Sequence, residues 1–492
     1  TSSVIGTVLA AHEDWRKAPG YDPEESRKHL YFLYNNPDDR LLPFERSRSV
    51  LEEPGITKIN LTTGPQAITG STRMQATTIE TTVVAAVLET AAGRALERCL
   101  SAKEMARLGF EAGAGVAARL ERFGSALNGV RQALGALAAL TDLEAETYAN
   151  GRRSTYFAAK GLITVFIDST ERSPTFRLLP LDTVKEPKRR AWIQVWAAAD
   201  TAGGAWQAFL GRPFRGLAPE TYGGPFGSEI EDPYLRRAAL ESLKRAGNDQ
   251  GELYDLSFSE HNLMGRGPGP GDLAVMVCLT PEEDEAGREG SYFRKFAETA
   301  AAGGAGLGVL MITDRTPKEF AKLEQGIRRA FEGGTGRLVF VPVHVPEGGG
   351  PFGIGQQMAA KMLLNAHSTA VMAKLGKVVG NTMTNVSPSN LKLIGRATYL
   401  IQSHVNDILG QPAWVKAHGA RGPVSYGEAN AVLYDAIEYL RDKQAEGGQT
   451  AEVAFSIVRI LESLKQKRGV GPDEALGIVR SAGLSAYLAS LR

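Results

Sequence analysis

The chain has 492 residues, which is enough for two or three domains of ordinary size. Apolar residues make up 43% of it and charged residues 23%, the usual mix for a globular protein in water. The 56 Lys and Arg residues balance the 55 Asp and Glu residues, and basic residues form no long run, so we expect no nucleic-acid-binding surface. Any anion that this protein binds should therefore be small and held by a local site.

The cysteines and histidines predict neither disulfide bonds nor a metal centre. Cys99 and Cys278 lie in unrelated sequence contexts, and the seven histidines include no HxH or HxxxH pair. No apolar run approaches the roughly 18 residues needed to span a bilayer, and no signal peptide is recognisable. We therefore expect a cytoplasmic protein that has no membrane contact and needs no metal.

The first 150 residues predict two short strands among helices. The chain opens with an apolar pattern of helical period, and strands are predicted at Leu30–Tyr34 and Ile56–Leu61. From residue 72 to residue 150, Ala, Leu, Glu and Arg recur at helical spacing without proline, which predicts three or more helices.

Short apolar, β-rich runs alternate with helical segments after residue 150. This alternation is typical of βαβ units with a mostly parallel sheet, and such sheets bind ligands at the carboxyl ends of their strands. The predicted strands are residues 161–168, 191–200, 272–280, 306–314 and 337–345.

The remainder of the chain is predicted to be mainly helical. A helix-rich segment at 355–410 is followed by a linker containing QPAW and GARGP, and then by an all-helical tail at 426–492 with breaks at GGQT and GVGP. The glycine-rich runs at 345–355 and 265–271 are interpreted as flexible connections. The TPEE run at 280–283 predicts a helix start with proline at its first position.

The stretch TGPQAITGSTRMQATTIE, residues 63–80, places hydroxyl side chains and two glycines around one arginine. Thr69, Ser71 and Thr72 are good N-cap residues for the helix that should follow. A helix N-terminus also carries unpaired N–H groups and a partial positive charge, so it accepts phosphate readily. Arg73, just inside this helix, opposes the macrodipole unless an anion or an acidic partner lies nearby. The stretch is either an ordinary helix cap or a cradle for an anion.

A second stretch, residues 350–377, echoes residues 64–93. Both contain Gly-Pro, a short turn with glycine, a methionine and then an apolar helix, and Lys361 falls opposite Thr81 when the helices are in register. This weak internal repeat suggests two copies of one domain type. Lys361, on an apolar helix, either extends its amine to solvent or neutralises a ligand phosphate.

A third candidate is the run DSTERSP at 168–174, which follows a predicted strand. Ser169, Thr170 and Ser173 could form a second phosphate loop at the strand end, or the run could be a polar turn before a proline. His367 lies in an apolar helix and is interpreted as a core histidine.

No catalytic pair or nucleotide motif is recognisable. The sequence shows no nucleophile beside a base, so catalytic residues stay unassigned. G-x-G-x-x-G and Walker patterns are absent from the strand-to-helix junctions, and no cofactor is expected.

Several segments, in the right order, resemble one protein family. GPQAITGSTRMQATT at 64–78 resembles the glycine–serine–arginine motif of the N-acetylmuramic acid 6-phosphate etherases and the glucokinase regulatory protein. Residues 359–397 are similar to the helical segment that follows this motif in the family, and residues 469–491 resemble its small terminal domain, which is similar to ubiquitin-associated (UBA) domains. The opening TSSVIGTVLAA resembles the start of the helix at the family's sugar-phosphate loop.

The resemblance implies an α/β fold with two sugar isomerase (SIS) domains in tandem. Both would be parallel-sheet α/β domains, the first truncated at its N-terminus, and a helical C-terminal region would follow. The implied parts are the end of a first SIS domain at 1–95, a helical connector at 96–155, a second SIS domain at 156–412 and a small UBA-like domain at 425–492.

The resemblance also implies which residues contact ligand. Lys361 matches a lysine that reaches the sugar phosphate from the second domain. Gln75 and Thr77 depart from the motif, since the family has a basic residue and a glycine there. The sugar-phosphate-binding residues implied are Thr1, Ser2, Ser71, Thr72, Arg73 and Lys361.

The implied function is binding of a hexose or amino-sugar 6-phosphate in a regulatory or sensing role, with a sugar-kinase-like protein as partner. One alternative is a carbon–oxygen lyase, an etherase acting on N-acetylmuramic acid 6-phosphate in cell-wall amino-sugar recycling. Another is a non-catalytic scaffold whose site has decayed.

Overall fold

The protein divides into two compact units. The first comprises residues 1–125 and 349–358, and the second comprises residues 126–348 and 359–492. The computed structural model describes residues 2–186, 188–247, 249–346, 350–388, 391–443 and 450–492.

The first unit contains a two-stranded parallel sheet in which β1 (Tyr31–Tyr34) pairs in register with β2 (Thr57–Asn60). Both strands were predicted from the sequence. Phe32 and Tyr34 of β1 pack in a small core with Ile56, which directly precedes β2, and with Ile5 and Val50 of two helices. The helices are α1 (Ser2–Arg16), α2 (Pro23–Ser26), α3 (Asp38–Leu41), α4 (Glu45–Leu51), α5 (Gln75–Leu96), α6 (Ala102–Arg107) and the first part of α7 (Val116–Ala149).

The second unit contains a five-stranded parallel sheet with the order β4-β3-β5-β6-β7. Every residue of the first four strands along the chain is buried, as expected for a parallel sheet with both faces covered. The strands are β3 (Ser154–Ala158), β4 (Ile193–Ala197), β5 (Leu273–Leu279), β6 (Gly306–Thr313) and β7 (Leu338–His344).

The strand order of this sheet reverses between β3 and β5, because β4 lies on one side of β3 and the later strands lie on the other. Ligands of open α/β sheets bind at such a reversal, outside the carboxyl ends of the strands. The connecting elements are α8 (Leu162–Phe176), α9 (Ala202–Leu210), α10 (Pro219–Glu229), α11 (Pro233–Arg245), α12 (Gln250–Leu253), α13 (Glu260–Arg266), a 3-10 helix (Glu282–Glu285), α14 (Tyr292–Ala302), α15 (Pro317–Ala330) and α16 (Ile354–Lys374).

The C-terminal region is helical, as predicted. Its core contains Ile401, Trp414, Leu433, Ile457 and Leu461, which come from four different helices. The region consists of the short antiparallel pair β8 (Val378–Val379) and β9 (Thr382–Met383), and of α17 (Leu391–Leu409), α18 (Pro412–His418), α19 (Tyr426–Lys443), α20 (Glu452–Gln466), α21 (Pro472–Ala482) and α22 (Leu484–Ala489).

The predicted α/β class is confirmed, and four of the five strands predicted after residue 150 are present. The strand predicted at 161–168 is wrong, because helix α8 begins at Leu162. Leu162 and Val165 are buried, whereas Ile163 and Ile167 are 48% and 45% exposed, so the apolar residues follow a helical period. Their β-branched side chains resemble a strand in composition only. The actual strand is the preceding STYFA run.

Two smaller predictions also need correction. The QPAW run is not a linker but the start of α18, with Pro412 at its first position. The TPEE run does start a helix, but this is a 3-10 helix that begins at Glu282, so Pro281 is its N-cap residue rather than its first residue. Most of the predicted GGQT break lies outside the described residues.

None of the helices in the described part of the chain is both long and apolar enough to cross a membrane.

Helix α7 approaches the sheet of the second unit so closely that glycine is needed at one position. A Cβ at Gly129 would lie 2.0 Å from the backbone oxygen of His344, whereas a Cβ at Gly135 on the same helix would meet nothing within 4 Å. We expect Gly129→Ala to lower the free energy of unfolding by about 1–3 kcal/mol through overpacking. Gly135→Ala, the matched control, should raise it by up to about 1 kcal/mol through helix propensity. Urea unfolding of both variants measures this, and equal effects would contradict the packing described.

Candidate functional site

The sequence-predicted site residues fall in both units. Ser71, Thr72 and Arg73 lie together in the first unit, in the turn of residues 61–74 that joins β2 to α5. Thr1 lies outside the described residues, and Ser2 is the first residue of α1. The residues of the second unit are Ser169, Thr170, Ser173 and Lys361.

The turn at 61–74 leaves the carboxyl end of β2 and folds back on itself before α5. Gly64 and Gly70 have φ values of +84° and +72°, a region that favours glycine. The Ser71 N–H donates to the Ile68 carbonyl at 3.0 Å, which closes a tight turn. Ser71 and Arg73 are only 7% and 6% exposed, so the turn buries a hydroxyl and a guanidinium.

Helix α5 begins later than the sequence predicted. Its first residue is Gln75, and the preceding Met74 makes no side-chain capping hydrogen bond, so Thr69, Ser71 and Thr72 are not its N-cap. Arg73 therefore lies in the turn before the helix rather than inside it. The turn that buries Ser71 and Arg73 lies where the cap was expected.

The two departures from the family motif both hold the backbone of this turn. Gln75 Nε2 donates to the Pro65 carbonyl at 2.9 Å, and its Oε1 accepts from the Ala67 N–H at 2.8 Å. Thr77 Oγ1 donates to the Thr72 carbonyl at 2.6 Å. Both side chains therefore fix the path of the backbone through the turn.

Asn35, at the carboxyl end of β1, ties the turn to the neighbouring strand. Its Nδ2 donates to the Leu61 carbonyl and to Thr63 Oγ1 at 3.1 Å, and its Oδ1 accepts from Gln66 Nε2 at 2.8 Å. Asn35 was not among the residues predicted from the sequence, although a polar side chain directly after a strand was a usable signal. The two strand ends thus form one polar surface.

This surface has the chemistry of phosphate recognition. A guanidinium stays charged at all relevant pH values and matches the geometry of phosphate oxygens, and a hydroxyl adds a donor. Glu80 is the sixth residue of α5, and burial raises its pKa. A carboxyl group with a raised pKa is suited to proton transfer.

Lys361 joins a chain of hydrogen bonds in the second unit. Its Nζ donates to Asn365 Oδ1 at 2.9 Å, and Asn365 Nδ2 donates to Asp168 Oδ1 at 2.8 Å. Ser368 Oγ donates to the same carboxylate oxygen at 3.1 Å. The amine is thereby placed near helix α8, an arrangement that neither sequence alternative included.

Asp168 in turn borders a fully buried polar network. Arg172 donates to Asp168 at 2.9 Å and to Glu144 at 3.2 Å, and Glu144 also accepts from Tyr156 at 2.6 Å and from His367. Burial by itself would raise the pKa of Glu144, but the charges of Arg172 and His367 outweigh it and lower that pKa. The prediction that His367 is a core histidine is confirmed. All of these named residues are buried, so we interpret the network as structural.

A separate cavity of about 230 Å³ lies at the carboxyl edge of the sheet, where the strand order reverses. Glu282 lines it and accepts hydrogen bonds from the Lys160 N–H and, at 3.1 Å, from the Leu279 N–H. Burial raises the pKa of Glu282 to about 7, although both backbone hydrogen bonds oppose the rise. The TPEE run was interpreted as structural only, so the sequence analysis missed this carboxyl group.

Ser169, Thr170 and Ser173 do not form a strand-end loop. They lie inside α8, on one face, and line a cavity of about 270 Å³. The predicted phosphate loop is wrong because the segment predicted as the strand before it is the first half of helix α8, and the helix continues through these residues.

No protein-family model matches the chain. A short segment is similar to N-acetylmuramic acid 6-phosphate etherases. It is 57% identical over 44 residues to that of Clostridium acetobutylicum, 56% over 48 residues to that of Bacillus subtilis and 52% over 44 residues to etherase 1 of Enterococcus faecalis. These matches cover 9–10% of the chain and only 15–16% of the length of each relative. They support the etherase part of the predicted resemblance. The glucokinase regulatory protein and the tandem SIS arrangement stay predictions.

The raised pKa of Glu282 makes stability depend on pH. The pKa rises from 4.5 to about 7 on folding, so between these values the folded protein keeps a proton that the unfolded chain has lost. The contribution of Glu282 to stability is therefore greatest below pH 4.5 and falls by about 3 kcal/mol as the pH rises through 7.

We expect Glu282→Gln to remove this contribution. The difference in the free energy of unfolding between wild type and variant should change by about 3 kcal/mol between pH 4.5 and pH 8, as measured by urea unfolding. Glu289→Gln, at an exposed carboxylate nearby, is the control and should show no such change. A pH-independent difference for Glu282→Gln would show that the carboxyl group is not buried as described.

Proposed function

We propose that this protein binds an amino-sugar 6-phosphate and acts as an etherase on N-acetylmuramic acid 6-phosphate. The observation that carries the proposal is the segment 52–57% identical to enzymes of that name. Since the chain spans a small part of those relatives, the activity itself is our inference. The polar turn at 61–74, with its buried guanidinium, supplies the chemistry that a phosphate needs.

In this proposal, the phosphate group binds at the turn. Arg73 provides the permanent positive charge, and the hydroxyls of Ser71 and Thr72 provide neutral donors. The backbone of the turn is already held by Gln75 and Asn35, so these groups are ordered before ligand arrives. Lys361 is proposed, separately, as a phosphate-binding amine of the second unit.

Cleavage of the lactyl ether also requires a group that moves protons. Glu80 is the carboxyl group that follows the turn most closely in sequence, and burial raises its pKa. A carboxyl group that titrates closer to neutral pH can both accept and return a proton. We propose Glu80 for this role.

A regulatory or sensing protein is the second candidate. The turn itself, residues 61–74, contains no Asp, Glu or His and so offers no base of its own. This composition favours binding of a sugar phosphate without turnover. The partner would then be a sugar-kinase-like protein that binds the sugar-phosphate-bound form.

Arg73 and Ser71 test the binding proposal. Loss of a charged hydrogen bond should cost about 1.5–3 kcal/mol, so Arg73→Ala should weaken binding of N-acetylmuramic acid 6-phosphate roughly 10- to 100-fold. Ser71→Ala should weaken it several-fold. Calorimetry measures both, with circular dichroism to verify folding. Arg94→Ala removes an exposed arginine of the same helix region and should leave the affinity unchanged; equal loss in all variants would reject the site.

Substitution of Lys361 tests its proposed role as a phosphate-binding amine. Lys361→Gln should weaken sugar-phosphate binding several-fold, whereas Lys374→Gln, at an exposed position on the same helix, should not.

Release of D-lactate from N-acetylmuramic acid 6-phosphate tests the etherase activity. An etherase should release D-lactate from this substrate, and the Glu80→Gln variant should not. Binding without lactate favours the regulatory candidate, and neither binding nor lactate favours a scaffold whose site has decayed.

A further inference from the structure

The cavity beside α8 in the second unit takes no part in the function proposed above. It has a volume of about 270 Å³ and is lined by Phe166, residues 178–181, Ile193 and Tyr254, together with three hydroxyl side chains of α8. The lining residues include no charged side chain. The side chains of the lining are therefore apolar apart from the three hydroxyls of α8 and the phenol of Tyr254.

Two of those hydroxyls are satisfied by the backbone. Thr170 Oγ1 donates to the Phe166 carbonyl at 2.8 Å, and Ser173 Oγ donates to the Leu178 carbonyl at 2.8 Å. Ser169 is 4% exposed, and its Oγ has no hydrogen-bond partner among the described residues. Buried hydroxyls are nearly always paired, and Ser169 is a lining residue of the cavity, so a molecule bound there can supply the partner that its Oγ lacks among the described residues.

The charged groups of α8 do not serve this cavity. Asp168 and Arg172 are engaged with the buried network and with Asn365. Neither of them lines the cavity, and Glu171, the third charged residue of α8, does not line it either. A phosphate would lose its hydration there without gaining a counter-charge, which is strongly unfavourable. The missing partner of Ser169 is thus expected to be neutral.

We propose that this cavity binds a small neutral molecule with an apolar body and one hydrogen-bonding group, which pairs with Ser169 Oγ. An apolar cavity of about 150 Å³ accepts benzene, so a cavity of this larger volume has room for a bicyclic aromatic molecule. This site lies in the second unit and does not depend on the function proposed above.

Indole and indene are suitable probes because they have nearly the same shape and only indole carries an N–H donor. We expect the full chain to bind indole several-fold to tenfold more tightly than indene in calorimetric titrations, because indole pairs with Ser169. Ser169→Ala should abolish the preference while leaving indene binding unchanged. Ser169→Leu should fill the cavity and prevent binding of both probes.

Controls separate this proposal from its alternatives. Ser228→Ala, at an exposed helical serine, should keep the preference for indole. Failure of the wild type to bind either probe, or equal affinity for both, would overturn the proposal without reference to any variant. Binding of inorganic phosphate that is lost in Ser169→Ala would also overturn it, since it would restore the phosphate loop predicted from the sequence.

Discussion

The arrangement of helices in the second unit depends on one buried charge, the guanidinium of Arg172. It is completely buried, and its ion pairs and hydrogen bonds join α8 to α7 through Glu144 and to β3 through Tyr156. His367 of α16 contacts the same carboxylate. A buried charge is tolerated only when its partners are in place, and removing one partner of such a pair costs about 3–5 kcal/mol. Four elements are thereby held in a single arrangement.

This constraint gives α8 two different faces. One face turns Asp168 and Arg172 toward charged and amide partners, which extend to Lys361. The other face turns Ser169 toward an apolar cavity. Because the guanidinium network fixes the rotation of the helix about its axis, the two faces cannot exchange roles. Asp168 and Ser169, although adjacent in sequence, therefore lie in different environments, one in the ion-pair network and the other beside the cavity.

The sequence predicted those parts of the fold in which local pattern and tertiary packing agree. Continuous apolar runs identified β5 and β6, because a parallel strand is buried on both faces. The pattern failed for α8, where β-branched residues alternate between core and solvent with helical period. It also failed for Gln75 and Glu282, whose roles rest on contacts with backbone groups of residues elsewhere in the chain. Spacing along the sequence carries no signal for such contacts.

The side-chain ties across the turn at 61–74 have a consequence for conformational entropy. Ordering the backbone of one residue costs about 1–2 kcal/mol, and a free loop of this length would incur that cost when its ligand bound. Here Gln75 and Asn35 hold the turn from both sides, so the ordering occurs when the chain folds. The entropy lost in ordering the turn therefore lowers the free energy of unfolding of the first unit, and it does not weaken the binding of a small anion.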